Sequence, residues 1–375
     1  MKIGHYQQQP QGFKAFIPAE FPPREGYSFS SELIHKAAQA TLALGKLDGI
    51  THILPDVDFF LYMYTCKDAA SSSQIEGTQA TMVDAIEATA KTSSTLPQDV
   101  DDILHYIKAI NYGLERVTEF PLSTRLIKEI HKILMHDARA THFSDPGNFR
   151  SSQNWIGGTN INSASFVPPP VEEMKIAMSD LEKFFHDERR DILPIIKIGL
   201  AHAQFETIHP FLDGNGRTGR MLITMMLCLS GMLEYPVLFL SSYFKKYQQN
   251  YYDALNKYHN NDIVPWVELF LDGVCVTAVE AVETAKKINL LREQDLKKIH
   301  SLGKTSSKVA VDVLFHLFKA PVINVAGIIN ITGYTRQGAQ KVIDKLVVLD
   351  ILKLKNDDQK YDRSYIYSRY VELFN

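Results

Sequence analysis

Cysteine, tryptophan and long apolar runs are all scarce in this chain of 375 residues. Its three cysteines, Cys66, Cys228 and Cys275, are too scattered for a disulfide framework or a zinc-binding pattern, which excludes the small stapled scaffolds. A chain of this length buries enough apolar surface to fold without such aids, and the reducing cytosol is its expected location. The most apolar stretch, Met221 to Leu229, is half of the ~20 residues a membrane span needs and directly follows an arginine. Lys2 and His5 are followed by Gln7, Gln8, Gln9 and Pro10, where an export signal would need an apolar core. Neither secretion nor membrane insertion is expected. An excess of either charge is also missing: 40 basic against 43 acidic side chains give −3, which excludes a uniformly basic nucleic-acid coat. The phosphate loop GxxxxGK[ST], the HExxH zinc helix and the GxSxG nucleophile elbow are all absent. His131 with His136, and His202 with His209, miss the i,i+4 spacing that sets two metal ligands on one helical face.

What is present is globular and mostly helical. Hydrophobic residues make up 45% and charged residues 22%, and the length implies two or three domains. The first thirty residues, rich in Gln, Pro and Gly, are expected to form an extended arm laid on a later domain. Leu33, Ile34, Ala37, Ala38, Thr41 and Leu42 then recur at helical spacing. A second helix is predicted over 56–75 and stopped by Gly77, and Thr81 with Asp84 forms a capping-box signal for a third. Residues 91–97 read as a polar loop. Further helices are predicted over 100–117, 123–138, 172–187, 193–206, 215–230, 243–258 and 265–299. Residues 141–170 interrupt this pattern with glycine and proline, and the runs 154–156 and 165–167 flank a polar tip as the arms of a β-hairpin.

The end of the chain has a different character. Residues 301–375 hold eleven basic and seven acidic side chains, a net of +4, against −7 for residues 1–300. Helices over 309–318, 325–330 and 335–349 precede a strand pair, 352–355 and 365–367, joined by a polar tip at 356–359. Three helices followed by a hairpin is the order of a winged helix-turn-helix domain.

Chemistry concentrates in His209-Pro210-Phe211-Leu212-Asp213-Gly214-Asn215-Gly216-Arg217-Thr218-Gly219-Arg220. Gly-Asn-Gly frees the backbone to turn successive N–H groups onto one anion, and a helix begins at once, adding its positive end. Arg217 and Arg220, three apart on that helix, share a face and can both reach phosphate oxygens. Asp213 offers a hard oxygen ligand suited to Mg²⁺ held together with phosphates. His209 can take a proton from an attacking hydroxyl at neutral pH. A surface turn would explain one Gly pair. Base, metal ligand, anion nest and paired arginines in one short run instead describe nucleotidyl or phosphoryl transfer.

This segment resembles the signature of the Fic family, HPFx[DE]GNGRxxR, with no departure at any fixed position. The resemblance implies a protein adenylyltransferase that moves AMP from ATP onto Ser, Thr or Tyr hydroxyls of proteins, itself included. In that reading Gly214, Asn215, Gly216, Arg217, Thr218, Gly219 and Arg220 bind the phosphates, Asp213 holds Mg²⁺ and His209 is the base. Ser72-Ser73-Gln74-Ile75-Glu76-Gly77 is similar to the family's inhibitory pattern [ST]xxxE[GN]. It implies that Ser72, Glu76 and Gly77 form a brake in which Glu76 pairs with Arg220. Residues 149–158 resemble the family's target-binding flap, with Trp155, Ile156, Gly157 and Gly158 at its working edge. Tyr252, in the pair Tyr251-Tyr252, resembles a family tyrosine near the nucleotide base, although aromatic pairs at that spacing more often pack cores.

The expected architecture is mainly α: an arm and helical region with the inhibitory helix over 1–98, a Fic core with its β-hairpin flap and a linker helix over 99–299, and a winged helix over 300–375. A homodimer is plausible for this class, and base choice lies outside the motif. The alternative is a DNA-binding regulator whose Fic core is secondary or inactive. Thr335, Arg336 and Gln337 would then read bases while Lys341 and Lys345 meet phosphates, although winged helices also serve as docking surfaces.

Overall fold

The computed structural model describes residues 2–52, 54, 57–90, 96–97, 99–136, 145–188, 191–355 and 363–374. Most of the loop expected over 91–97 and the tip expected over 356–359 lie outside these residues.

The arm is a hairpin of β1 (Gly4–Gln8) and β2 (Lys14–Pro18), antiparallel with Tyr6 opposite Phe16. Helix α1 (Ser31–Thr51) starts where the Ser30 hydroxyl accepts from the N–H of Leu33, satisfying a first-turn donor. Its buried stripe of Leu33, Ala37, Ala40, Leu44 and Leu47 repeats every three to four residues, as a helix with one covered face requires. Helix α2 (Val57–Ile75) is covered nearly all round, and α3 (Met82–Ala90) opens on the Thr81/Asp84 capping box.

Helices α4 (Val100–Arg116), α5 (Thr124–Leu134), α6 (Val171–Phe185), α7 (Pro194–Ile208) and α8 (Asn215–Leu229) build the centre. In α7 every residue from Ile198 to Ile208 is buried, so this helix and α8 form the innermost pair. Helix α5 ends at Leu134, earlier than the predicted 138: Met135 has left helical geometry (φ −99°, ψ 10°), although no glycine or proline marks the stop. Residues 137–138 lie outside the described set.

The single helix expected over 243–258 is two, α9 (Ser241–Lys246) and α10 (Gln248–His259). They are kinked at Tyr247 (φ −112°, ψ 40°). Tyr247 still donates to the carbonyl of Tyr243 and accepts from the N–H of Tyr251. The apolar period therefore runs unbroken through the kink, which is why sequence periodicity cannot see it. Helix α11 (Val264–His300) then spans 37 residues and packs along α1.

Helix α12 (Lys304–Lys319), β3 (Val322–Asn324), α13 (Val325–Thr332), α14 (Arg336–Val348), β4 (Lys353–Leu354), β5 (Ser364–Ile366) and α15 (Ser368–Val371) complete the chain. The strands form an antiparallel sheet in the order β3-β5-β4. β3 has no counterpart in the sequence prediction, because three residues between two helices carry no alternation to detect. This unit packs on α2: the Phe59 ring stacks 5.1 Å from Phe318, and Tyr64 meets Phe374 edge-on at 5.5 Å. Lys355 pairs with the buried Glu87 of α3. Fully buried Asp295 of α11 accepts from the Tyr367 hydroxyl at 2.7 Å and from Arg369 at 2.8 Å. The fold is mainly helical, and no helix among the described residues is long and apolar enough to cross a membrane.

Candidate active site

The loop between α7 and α8 is fixed before any ligand arrives. His209 closes α7 in a left-handed conformation (φ 49°, ψ 60°), which turns the chain out of the helix. Asn215 holds the turn that follows: its Oδ1 accepts from the Phe211 N–H at 2.8 Å and its Nδ2 donates to the Phe211 carbonyl at 2.9 Å. His131 of α5 lies flat on Phe211, with ring centroids 3.6 Å apart. Its Nδ1 accepts from the Gly147 N–H, so Nε2 carries the proton and donates to the Asp213 carbonyl at 2.9 Å. Burial pushes this imidazole down to about 4, consistent with a neutral, structural ring. Arg150, 1% exposed, donates from Nε to the His209 carbonyl at 3.0 Å and from Nη2 to the Pro169 carbonyl, tying the α7–α8 loop to the chain that leaves the hairpin.

Gly214 caps α8 with φ 76°, a backbone that only glycine adopts cheaply. Its N–H is taken by Asp213 Oδ1 at 2.6 Å. The first-turn N–H groups of Asn215, Gly216 and Arg217 have no intrahelical acceptor and form an anion-ready end. Thr218 does not join them. Its N–H already bonds the Gly214 carbonyl and its hydroxyl donates to the same oxygen at 2.8 Å. Gly219 is likewise turned inward, its carbonyl accepting from Nδ1 of His202. Thr218 and Gly219 thus make their hydrogen bonds inside the protein and help to shape α8. Arg217 is buried, its Nε has no hydrogen-bond partner, and Nη2 reaches the Met135 sulfur at 3.4 Å and, more loosely, Asp213 Oδ1 at 3.9 Å. A buried cation so poorly satisfied is suited to an anion.

Arg220 is committed. Its Nε donates to Ser72 Oγ at 2.8 Å, and Nη2 donates to the Ser72 carbonyl at 3.0 Å and to Glu76 Oε1 at 2.8 Å. Burial works against the charge of Glu76, but Arg220 outweighs it, with help from Arg217 and His209, and holds the carboxyl below its usual range. Gly216 is glycine for closeness, since a Cβ there would run into Glu76 Oε1 and Arg220 Nη1. Gly77 (φ 98°) ends the turn that presents Glu76.

Glu76, His209, Gly216 and Arg220 share one cavity of about 610 Å³ with Trp155, Ile156, Gly157 and Tyr252. Its outer wall is the flap, where Ile156 and Phe166 exchange backbone hydrogen bonds in a single antiparallel bridge. The arm adds to it, as the Phe16 N–H donates to the Val167 carbonyl.

Two family models match this chain, "Fic/DOC family N-terminal" over residues 34–115 and "Fic/DOC family" over 121–227. The chain belongs to the Fic/DOC family. "Protein adenylyltransferase Fic" of Aedes aegypti is 32% identical over 170 residues, covering 44% of this chain and 30% of that protein. The protein of the same name from Drosophila yakuba is 31% identical over equal shares. The chain thus spans about 30% of the length of these curated relatives. A Fic family protein from Desulfovibrio desulfuricans superposes with a TM-score of 0.59 over 91% of this chain and 97% of its own, at 16% identity. A Fic domain signalling protein from Bacteroides thetaiotaomicron gives 0.55 over 66% and 97%, at 20% identity. These likenesses establish the shared fold.

Of the Fic residues named from sequence, the structure gathers Glu76, Ile156, His209, Gly216 and Arg220 around one cavity. Both tyrosines line the cavity, Tyr252 exposed at its rim and Tyr251 buried, with its hydroxyl donated to Nε2 of His202. His131, Arg150, Glu206 and His259 were not singled out for the site. They come from separate elements or carry no motif, so only tertiary packing reveals them. Asn215→Ala is expected to free the Phe211 turn, destabilising the fold by about 1–3 kcal/mol through the buried amide bonds and weakening nucleotide binding. Thermal unfolding and calorimetric titration with ATP check both effects.

Proposed function

We propose that this chain is a protein adenylyltransferase, transferring AMP from ATP to a Ser, Thr or Tyr hydroxyl of a protein and held in check by Glu76. The observation that carries the reading is Arg220 bonded to Glu76 in a cavity also lined by His209 and by Gly216 of the first turn of α8. The phosphates of ATP would lie on the N–H groups of Asn215 to Arg217, with Arg217 as counter-charge. His209 would take the hydroxyl proton. The oxygen would then bond to the α-phosphorus as the α–β bridge breaks and pyrophosphate leaves. Catalysis is then mainly positioning and charge stabilisation.

Magnesium suits the donors present. The Asp213 carboxylate is 47% exposed beside the nest, and no cluster of three or more His, Cys, Asp or Glu among the described residues forms a cage. Mg²⁺ is commonly held by one or two carboxylates plus substrate phosphates, which is the role Asp213 would have. When bound, the ion supplies charge neutralisation at those phosphates. The flap would take the target as an added strand and bring its hydroxyl to His209. Incubation with ATP and Mg²⁺ followed by intact-mass measurement tests the reading. An adenylate-sized gain on the chain itself is expected, and absence of both transfer and ATP binding would sink it.

A DNA-reading role for the C-terminal unit has support of its own. The element order α12-β3-α13-α14-β4-β5 fits a winged helix, and Arg336, Gln337, Lys341 and Lys345 are exposed on α14. Duplex binding that falls steeply as salt rises is expected of such a surface. Its absence in a salt titration would leave protein docking or homodimer formation as the unit's task.

A further inference from the structure

Two buried polar atoms in the cavity wall stand without hydrogen-bond partners, and they belong to residues one helical turn apart. They are Oε1 of Glu206 and Nδ1 of His209. The second carboxyl oxygen of Glu206, Oε2, lies 4.0 Å from that same Nδ1. Glu206 is 7% exposed and lines the cavity beside His209. Buried polar atoms are rarely left unpaired, and catalytic hydrogen bonds are often long in a ligand-free site and tighten when substrate binds. Room for the carboxyl is kept by Gly219, where any Cβ would strike Oε1 of Glu206. Gly219 is in turn held by His202, which Tyr251 locks from the other side.

We propose that Glu206 is the positioning residue of His209, its carboxylate accepting the Nδ1–H so that Nε2 is left unprotonated toward the cavity. This rests on the transferase reading above. The target hydroxyl then gives its proton to Nε2, and the imidazolium formed is partnered by the Glu206 carboxylate until pyrophosphate has left. The proton is passed on to solvent from Nε2. Free imidazole prefers the opposite tautomer, so without an acceptor at Nδ1 the ring would present a proton, not a lone pair, to the hydroxyl.

The surroundings set the sign of the pH effect. Glu206 faces Arg220 from α8, Glu76 from the end of α2 and Tyr251 from α10. His209 faces Arg150, Glu76, Asp213 and His259, and the main-chain carbonyl of Glu206 also lies toward its ring. Burial pushes the Glu206 carboxyl up to about 8, with Arg220 pulling it down and Glu76 pushing it further up. Burial pushes His209 down to about 4. His209 is therefore neutral throughout the neutral range, and the group of this pair that changes charge there is Glu206. Its charged form, the stronger acceptor and the one that stabilises the imidazolium, is populated as pH rises, so transfer should climb with a limb governed by Glu206. Removing Glu76 removes a like charge and should move that limb to lower pH.

The test uses the full chain carrying Glu76→Gly, with itself as acceptor. Glu206→Leu is expected to lower kcat about 100-fold through a misplaced base while the Kd for ATP is unchanged. Glu206→Gln keeps an acceptor oxygen of the same shape, should lose about tenfold, and should lose the rising pH limb. ¹⁵N NMR of the His209 ring is expected to give the Nδ1–H tautomer in the parent and the Nε2–H tautomer in Glu206→Leu. An unchanged tautomer and unchanged kcat in Glu206→Leu would overturn the proposal and give the role to the main-chain carbonyl. Should Glu206→Leu fail to fold, the isosteric Glu206→Gln decides: a pH limb identical to the parent overturns the proposal. A Glu76→Gly protein that transfers nothing would strike the transferase reading instead, and the tautomer measurement would still decide the pairing.

Discussion

Replacing His209 with alanine is expected to cut transfer about 10²- to 10⁴-fold, the range associated with a lost general base, while Mg-ATP still binds. The separation follows from the geometry. The anion end of α8 is built by Gly214 and the free N–H groups of 215–217, and the loop is pinned by Asn215 and His131; none of these contacts uses the His209 ring. Arg150 reaches His209 only through its main-chain carbonyl, which alanine keeps. The ring's neighbours on the Nδ1 side, the Glu206 carboxylate and main-chain carbonyl, belong to α7 and not to the nest. Intact-mass time courses beside ATP calorimetry check both halves. Undiminished transfer would remove His209 from the chemistry, and lost ATP affinity would mean that the ring helps to build the nest.

The helices and the turn from His209 into α8 were legible in the sequence because their signals are local. The Thr81/Asp84 box, the 3.6-residue period of α1 and the Gly-Asn-Gly run each depend on neighbours in the chain. What escaped depends on tertiary contact. The stop of α5 at Met135 and the kink at Tyr247 break no apolar period, and β3 is too short to alternate. Thr218 and Gly219 show a subtler limit. A motif fixes which residues recur, but that the Thr218 N–H is taken by the Gly214 carbonyl one turn into α8 is read only from the fold. Glu206 lies three residues before His209 and reads as one more carboxylate on a buried helix. Only its orphaned oxygen, the missing Cβ of Gly219 and the distance to Nδ1 mark it.

Glu76→Gly is expected to raise transfer about 10- to 100-fold, the factor that corresponds to a charge-assisted hydrogen bond of about 1.5–3 kcal/mol. The bond removed is the 2.8 Å contact from Arg220 Nη2 to Oε1. Arg220 does not swing loose when it is gone, because Nε stays on the Ser72 hydroxyl and Nη2 on the Ser72 carbonyl. The variant therefore leaves a guanidinium already aimed at the cavity with one donor direction free for a phosphate oxygen. It also removes a carboxylate whose charge would oppose that phosphate, so ATP affinity should hold or improve. Ser72 and Glu76 lie on successive turns at the end of α2, whose other end is packed against Phe318, Tyr370 and Phe374, so both Arg220 partners sit on a well-packed helix. Adding Arg220→Ala to Glu76→Gly separates release from mere loosening. If Glu76 acts by occupying Arg220, the double variant falls back to wild-type transfer or below, because no guanidinium remains to take the phosphate. If the double variant stays as active as Glu76→Gly, the gain came from loosening α2, and the ion pair is structural.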